Sequence, residues 1–493
     1  MRRIIIAWTA SLLLGMYATA GAEESMEYVP ETDPLVLEKL EQWQDLKFGL
    51  LMHWAASSQW GIVESWSLSP EDYGWCERRA GDNPGDYFAY KHEYEGLKNT
   101  FNPVEFDPSL WAEAAAHAGM RYVVFTTKHH DGFCMFDTRE TDYKVTDEGC
   151  PFHSHPQADI TRAIFDAFRE KGMWTGAYFS KPDWHNENYW HPYFPPRDRN
   201  VNYDPEEYPE RWDKFVRFTH NQIMELASDY GRLDILWLDG GWVEKADPER
   251  IRKWYEKKIK KTPLGFLKHH FINQDIRMDE LVAKVRVKQP GLIVVDRAVH
   301  GKNQNYLTPE NRVPEKALSY PWESCIVAGG GWSWVPDARY RSVRETVHML
   351  VDIVAKGGNL LLNIGPAPDG TWDEGAYELL QGVGDWMAIN NEAIYDTRAM
   401  APYKTGRNCF TRKTDDGAVF AIHLAGEGET GPPASIEIDG IVVADNARVT
   451  MLGVEGPLEW KFGERGLTVT IPSHIRTAPP CAHAWVLRIS PSK

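Results

Sequence analysis

The chain predicts an α/β fold: a (β/α)8-like barrel followed by a C-terminal antiparallel β-sandwich. Two patterns carry the prediction. Up to about residue 390, short apolar runs alternate with amphipathic stretches, and polar residues collect just after the runs. That is the mark of parallel strands joined by helical crossovers. From Thr397 helical periodicity vanishes, and short alternating runs are separated by Gly, Pro and Asp turns, as in a small sandwich. The chain divides accordingly into 1–22, 23–396 and 397–493. Eight clean strands cannot be counted, so the barrel is expected to be irregular. A doubly wound open sheet is the structural alternative, but no G-x-G-x-x-G joins a strand to a helix.

The elements come in order along the chain. Arg2 and Arg3, an apolar run from Ile4 to Tyr17 and the small residues Ala20-Gly21-Ala22 read as a secretory signal peptide. After a polar lead-in, Lys47 to Trp54 is strand-like, with His53 at its end. A Gly-, Trp- and Ser-rich loop carries Glu64. Asp107-Pro108 opens a helix and Gly119 closes it. Tyr122 to Thr127 is a strand running into Lys128-His129-His130-Asp131-Gly132. Asp159 caps a helix with Ile160, Ile164 and Phe168 on one face. Trp174 to Ser180 is a strand, and Trp212, Phe215, Thr219, Ile223 and Leu226 share one side of the next helix. Leu233 to Leu238 is a buried strand ending in Asp239-Gly240-Gly241. A basic, helical insertion spans Ile251 to His270. Leu292 to Arg297, Glu323 to Val327 and Asn359 to Ile364 are further strands, and Ser342 to Ala355 is helical. In the last part Ala418 to Ile422, Leu467 to Ile471 and Ala484 to Ile489 read as sandwich strands.

Composition narrows the function. A net charge of −17 disfavours nucleic acid or an anionic membrane as partner. No stretch is long and apolar enough to be a membrane span. The six Cys are scattered, with no C-x-x-C spacing, which argues against a zinc site or a dense disulfide framework.

The chemistry collects at strand ends, where barrels keep their catalytic residues. His53, His129, His130, Tyr178, Trp237, Asp239 and Arg297 sit there, with Glu64 and Glu310 on loops. Two carboxylates, aromatic walls and several hydroxyl-binding groups are what cleavage of a glycosidic bond needs. Taken singly, Asp239 is as readily a cap, Arg297 a partner for Asp296, and Trp332 and Trp334 core anchors. His129-His130 beside Asp131 is a candidate metal pair, but adjacent strand residues point to opposite faces.

The motifs together resemble the α-L-fucosidases of glycoside hydrolase family 29. They are Phe48-Gly49-Leu50-Leu51-Met52-His53-Trp54, Phe101-Asn102-Pro103, Lys128-His129-His130-Asp131-Gly132-Phe133, Trp237-Leu238-Asp239-Gly240 and Gly358-Asn359-Leu360-Leu361-Leu362-Asn363. The resemblance implies a retaining hydrolase releasing terminal α-L-fucose from glycans, with Asp239 as nucleophile. It implies that His53, His129, His130, Tyr178, Trp237 and Arg297 hold the sugar, that Glu64 is the first-loop glutamate, and that Trp334 meets the C5 methyl face. Glu310 is the preferred acid/base and Glu323 the runner-up. Ala55 stands where many members have Gly, and Leu238 replaces a common Phe. No metal and no organic cofactor is expected, since two carboxylates and a sugar-shaped pocket suffice. The expected partners are fucosylated glycans and the expected location periplasmic or extracellular. Two rival readings are a hydrolase of a related sugar such as α-L-galactose and a non-catalytic glycan-binding protein.

Overall fold

The structure is a computed structural model that describes residues 28–261, 272–462 and 466–490. The expected leader peptide and the last part of the basic insertion lie outside the described residues. Seven parallel strands form one curled sheet: β1 (Phe48–Met52), β2 (Tyr122–Lys128), β3 (Trp174–Ser180), β4 (Ile235–Asp239), β5 (Ile293–Asp296), β6 (Glu323–Val327) and β7 (Asn359–Asn363). Their order in space is β5-β4-β3-β2-β1-β7-β6.

The gap between β5 and β6 is filled by a strap rather than an eighth strand. Gln304 bridges Val295 antiparallel, whereas Leu307 and Glu310 bridge Trp322 and Cys325 in parallel. Backbone bonds from Asn305 N–H to the Val294 carbonyl (2.9 Å) and from Glu323 N–H to the Leu307 carbonyl (2.8 Å) close the ring. The reversal of direction over so short a stretch explains why no strand pattern is legible there.

Successive strand residues point to opposite faces, and both faces are buried. Leu50, Val123, Phe125, Phe179, Leu236 and Leu362 pack outward against the helices. Leu51, Val124, Tyr178, Ile235, Trp237, Val295, Cys325 and Leu361 fill the interior. The outer layer includes α1 (Pro34–Leu46), α2 (Tyr87–Gly96), α3 (Pro108–His117), α4 (Ile160–Glu170), α5 (Pro209–Asp229), α6 (Pro248–Lys261), α7 (Met278–Lys288), α8 (Val343–Ala355) and α9 (Glu374–Asn390). Caps fix the helix starts. Asp107 accepts from Ser109 N–H, Asp159 accepts from Arg162 N–H, and Ser342 with Glu345 forms a capping box.

The stretch expected to be a polar lead-in is in fact α1. Its Val36, Leu40 and Trp43 enter the barrel interior, and Trp43 stacks on Tyr306 with ring centroids 4.1 Å apart. This helix plugs the amino-terminal end of the barrel, leaving the carboxyl ends of the strands for chemistry.

Beyond α9 lies a five-stranded antiparallel sheet of β8 (Thr397–Thr405), β9 (Asn408–Lys413), β10 (Val419–Leu424), β12 (Arg448–Met451) and β15 (Ala484–Ser490). A three-stranded sheet of β11 (Ser435–Asp439), β13 (Trp460–Phe462) and β14 (Gly466–Thr470) joins it. Phe410, Ile438, Val449, Val469 and Trp485 form the core between them. Trp386 of α9 donates to the Ala484 carbonyl (2.9 Å), tying this unit to the barrel. All six Cys are unpaired thiols. No described helix is long and apolar enough to cross a membrane.

Candidate active site

Asp239 closes β4 and is followed by a turn that only glycine permits. Gly240 has φ +89°, and a Cβ there would lie 2.3 Å from Pro182 Cδ. At Gly241 a Cβ would meet Ala298 Cβ at 2.7 Å and the Arg297 carbonyl at 2.9 Å. The chain after Asp239 is thus pressed against the segments that come after β3 and β5. Lys181, rather than Arg297, holds Asp296 (2.6 Å), with both groups buried. Arg297 turns to Asp239, with Nη1 3.1 Å from Oδ1.

Two further groups flank this carboxylate, and an aromatic ring backs the arginine. Tyr178 O–H donates to Asp239 Oδ2 (2.8 Å), His130 Nε2 lies 3.8 Å from Oδ2, and the Arg297 guanidinium lies 5.3 Å from the centre of the Trp237 ring. Burial pushes the Asp239 carboxyl up. The charge of Arg297, His130, the Gly240 N–H and the Tyr178 hydroxyl outweigh it and hold the group well below the usual carboxylate range. Asp239 is therefore ionised at any ordinary pH. Arg297 also binds Glu310 through Nη2, so one guanidinium links both carboxylates. Glu310 is half exposed and rides on the strap between β5 and β6.

The histidines form one face of the site. His53 and His129 lie 5.8 Å apart between ring centroids, and His129 and His130 lie 4.2 Å apart. His53 Nδ1 is 2.9 Å from Asn363 Oδ1, and His129 Nδ1 is 2.5 Å from Ser65 Oγ. Burial pulls His53 down to about 4 and His130 down to about 3, and drives His129 well below its usual range. All three rings are neutral near pH 7 and offer a mixed donor and acceptor surface, suited to hydroxyl groups rather than to an anion. Glu64 is buried at φ 36°, a left-handed conformation uncommon for a residue with a side chain. It accepts from Ser333 N–H (2.9 Å), and burial raises its carboxyl to about 8.

One expected residue lies at the other end of the barrel, and a second is held by a partner of its own. Glu323 opens β6 at the amino-terminal end of the barrel, opposite to Asp239, and is fully buried. It accepts from Tyr122 O–H (2.6 Å) and from Trp237 Nε1 (3.3 Å). Trp237 and the barrel core stand between it and Asp239. The reason is register: Glu323, like Cys325 two residues on, points into the barrel interior, and it does so at the end that α1 plugs. Trp334 donates its indole N–H to Asp373 (2.9 Å). It is Trp332 that packs on His53, with centroids 5.2 Å apart.

Sequence reasoning missed an aromatic cage. Trp66, Trp184 and Trp242 lie on three different loops, and their centroids are 5.1–5.2 Å from that of His130. Nothing local in the sequence marks them as partners; the sole hint is the abundance of Trp. His129, His130 and Asp239 also present ligand atoms all within 4.8 Å of one another, the candidate metal cluster among the described residues. A guanidinium already occupies one face of that carboxylate and opposes a second cation there.

A barrel with an ionised, arginine-held carboxylate at its carboxyl end, a second carboxylate on the same arginine and a neutral histidine face defines a glycoside hydrolase. The family model "Alpha-L-fucosidase" matches residues 15–392, and "Alpha-L-fucosidase C-terminal domain" matches 404–490. The chain belongs to the α-L-fucosidases of glycoside hydrolase family 29. Human plasma α-L-fucosidase is 26% identical over 95% of this chain and 94% of its own length. For human tissue α-L-fucosidase the identity is 27%, over 98% and 97%. Among solved structures, α-L-fucosidase isoenzyme 1 from Paenibacillus thiaminolyticus superposes with a TM-score of 0.72 at 26% identity, covering 93% of this chain and all of that one. The Thermotoga maritima α-fucosidase in complex with fucose gives 0.68 at 25%, over 94% and 100%.

Proposed function

We propose that the chain is an exported, retaining exo-α-L-fucosidase that removes terminal α-L-fucose from glycans, with its catalytic unit ending at residue 396. The observation that carries the reading is the shared guanidinium, with Arg297 on Asp239 and on Glu310. Asp239 attacks C1 as the glycosidic bond breaks, giving a fucosyl ester. Glu310 leaves Arg297 to take up a proton and delivers it to the departing oxygen. Its carboxylate then removes a proton from water, the water oxygen attacks C1, and Asp239 leaves as the carboxylate. Arg297 and Tyr178 limit the reorganisation that this charge cycle requires. His53, His129 and His130 hold the sugar hydroxyls, Glu64 and Trp237 line the pocket, and Trp332 presents an apolar face to the C5 methyl.

The test is turnover of an aryl α-L-fucoside beside α1,2-, α1,3-, α1,4- and α1,6-linked fucosyl oligosaccharides and an α-L-galactoside, and then incubation with a slow 2-fluoro-fucosyl substrate. Fucoside turnover and a fluorosugar adduct on the Asp239 peptide are expected. Activity confined to another glycoside, or an adduct on another residue, would sink the reading.

A further inference from the structure

Beyond the histidine face the aromatic cage has a second side. Arg199 lies over Trp66 (4.7 Å) and over Trp242 (5.1 Å). Glu71 fixes it from behind, with Nε to Oε2 at 2.7 Å and Nη2 to Oε1 at 2.9 Å. Trp242, whose ring meets His130, also lines a cavity of about 380 Å³ on the far side. Trp242 is therefore the residue that the histidine face and this cavity share. The cavity's volume is of the size that holds a small ligand.

The lining of this cavity is chemically specific. Tyr73, Trp242 and Trp254 supply ring surface, and Asn200 supplies an amide. Tyr73 stacks on Trp75 with centroids 4.7 Å apart and planes within 2°, and Trp75 is 47% exposed. The stacked pair extends the aromatic surface outward from the cavity. Flat aromatic surface beside fixed polar groups suits the two faces of a sugar ring, one apolar and one hydroxylated. The lining carries four carboxylates, on Glu71, Asp198, Glu244 and Asp247, against two guanidinium groups. Both guanidinium groups are already paired, Arg199 with Glu71 and Arg250 with Glu244. The field left over is negative, so a hydroxyl donor is welcome and an anionic group is repelled.

We infer that this cavity and the Tyr73–Trp75 platform bind the saccharide to which fucose is attached, and that they select neutral oligosaccharides over sulfated or uronic-acid ones. The inference rests on the fucosidase reading for what occupies the neighbouring pocket. It assigns leaving-group specificity to loops outside the barrel strands.

The test compares wild type, Tyr73→Ala and the pair Asp198→Asn, Asp247→Asn on three substrates: 4-nitrophenyl α-L-fucoside, fucosyl-lactose and its sulfated counterpart. In Tyr73→Ala, kcat/KM on fucosyl-lactose should fall about tenfold, the worth of one good ring contact, with the aryl fucoside changed less than about twofold. The asparagine pair should gain on the sulfated substrate relative to the neutral one. Equal losses on all substrates, or none, would overturn the inference. Calorimetry with lactose alone separates this from the failure of the fucosidase reading. Binding by wild type that weakens in Tyr73→Ala supports the cavity even in a protein that cleaves no fucoside. Lactose binding that is absent from wild type, or equal in both proteins, removes the support.

Discussion

The two ends of the barrel use the same three side-chain types to opposite effect. At the carboxyl end a carboxylate, Asp239, takes a bond from Tyr178 beside Trp237. At the amino end a carboxylate, Glu323, takes bonds from Tyr122 and from the same Trp237. Both are desolvated. The difference is Arg297, which keeps Asp239 ionised, whereas burial without a neighbouring cation raises Glu323 to about 7. The ends also differ in access, because α1 seals one and loops surround the other. A buried carboxyl is available for chemistry only where a cation holds its charge and a ligand can reach it; without both it is part of the packing.

The strongest way to break this contrast is Asp239→Gly. Turnover should fall by about four orders of magnitude, as for removal of a nucleophile, and small anions such as azide should restore part of it by attacking C1. Near wild-type rates would return Asp239 to the role of a cap. Next in size is the seal. Trp43→Ala empties the plug and should cost about 3–5 kcal/mol in denaturant unfolding, with the KM of the surviving folded enzyme little changed. A large KM change at unaltered stability would mean that α1 does more than close the barrel.

Glu310→Ala should lower kcat by about two to three orders of magnitude on substrates with poor leaving groups and far less on activated aryl fucosides. The same leaving-group dependence in Glu323→Ala would move the acid to the other end of the barrel and undo the comparison. The smallest effect belongs to Glu323→Gln, read as thermal midpoint against pH. Glu323 binds its proton more tightly folded (about 7) than at its ordinary value of 4.5. Its stabilisation is thus complete below 4.5 and lost as pH rises through about 7. The variant should lose less stability across that window than wild type. Glu64, raised to about 8 for the same reason, keeps a residual slope in both.

Much of this is legible in the sequence because barrel strands announce themselves. The strand bounded by Trp174 and Ser180 can be read to the residue, and His53, His129, Asp239 and Arg297 stand out as polar groups at the ends of apolar runs. The illegible parts have physical causes. The helix α1 is amphipathic over three positions only, since Val36, Leu40 and Trp43 enter a narrow opening while the rest face outward. Whether Trp332 or Trp334 faces His53 depends on how a glycine-rich loop turns. Glu310 and Glu323 are separable by strand register alone, and one lies on a strap with no strand pattern. Trp66, Trp184 and Trp242 are brought together by three loops whose long-range packing leaves no local trace.

The strap between β5 and β6 has one further consequence. Asp239 is built into a strand that cannot shift without disturbing its neighbours, whereas Glu310 is carried by the strap that closes the ring. Tyr306 and Leu307 bury the strap in the barrel, while Glu310 at its far end stays half exposed. The distance between two carboxyl groups decides whether a glycosidase retains or inverts configuration. In this architecture that distance depends on how the strap is anchored between β5 and β6, so the seam of the barrel, rather than the strand that carries Asp239, is where it is set.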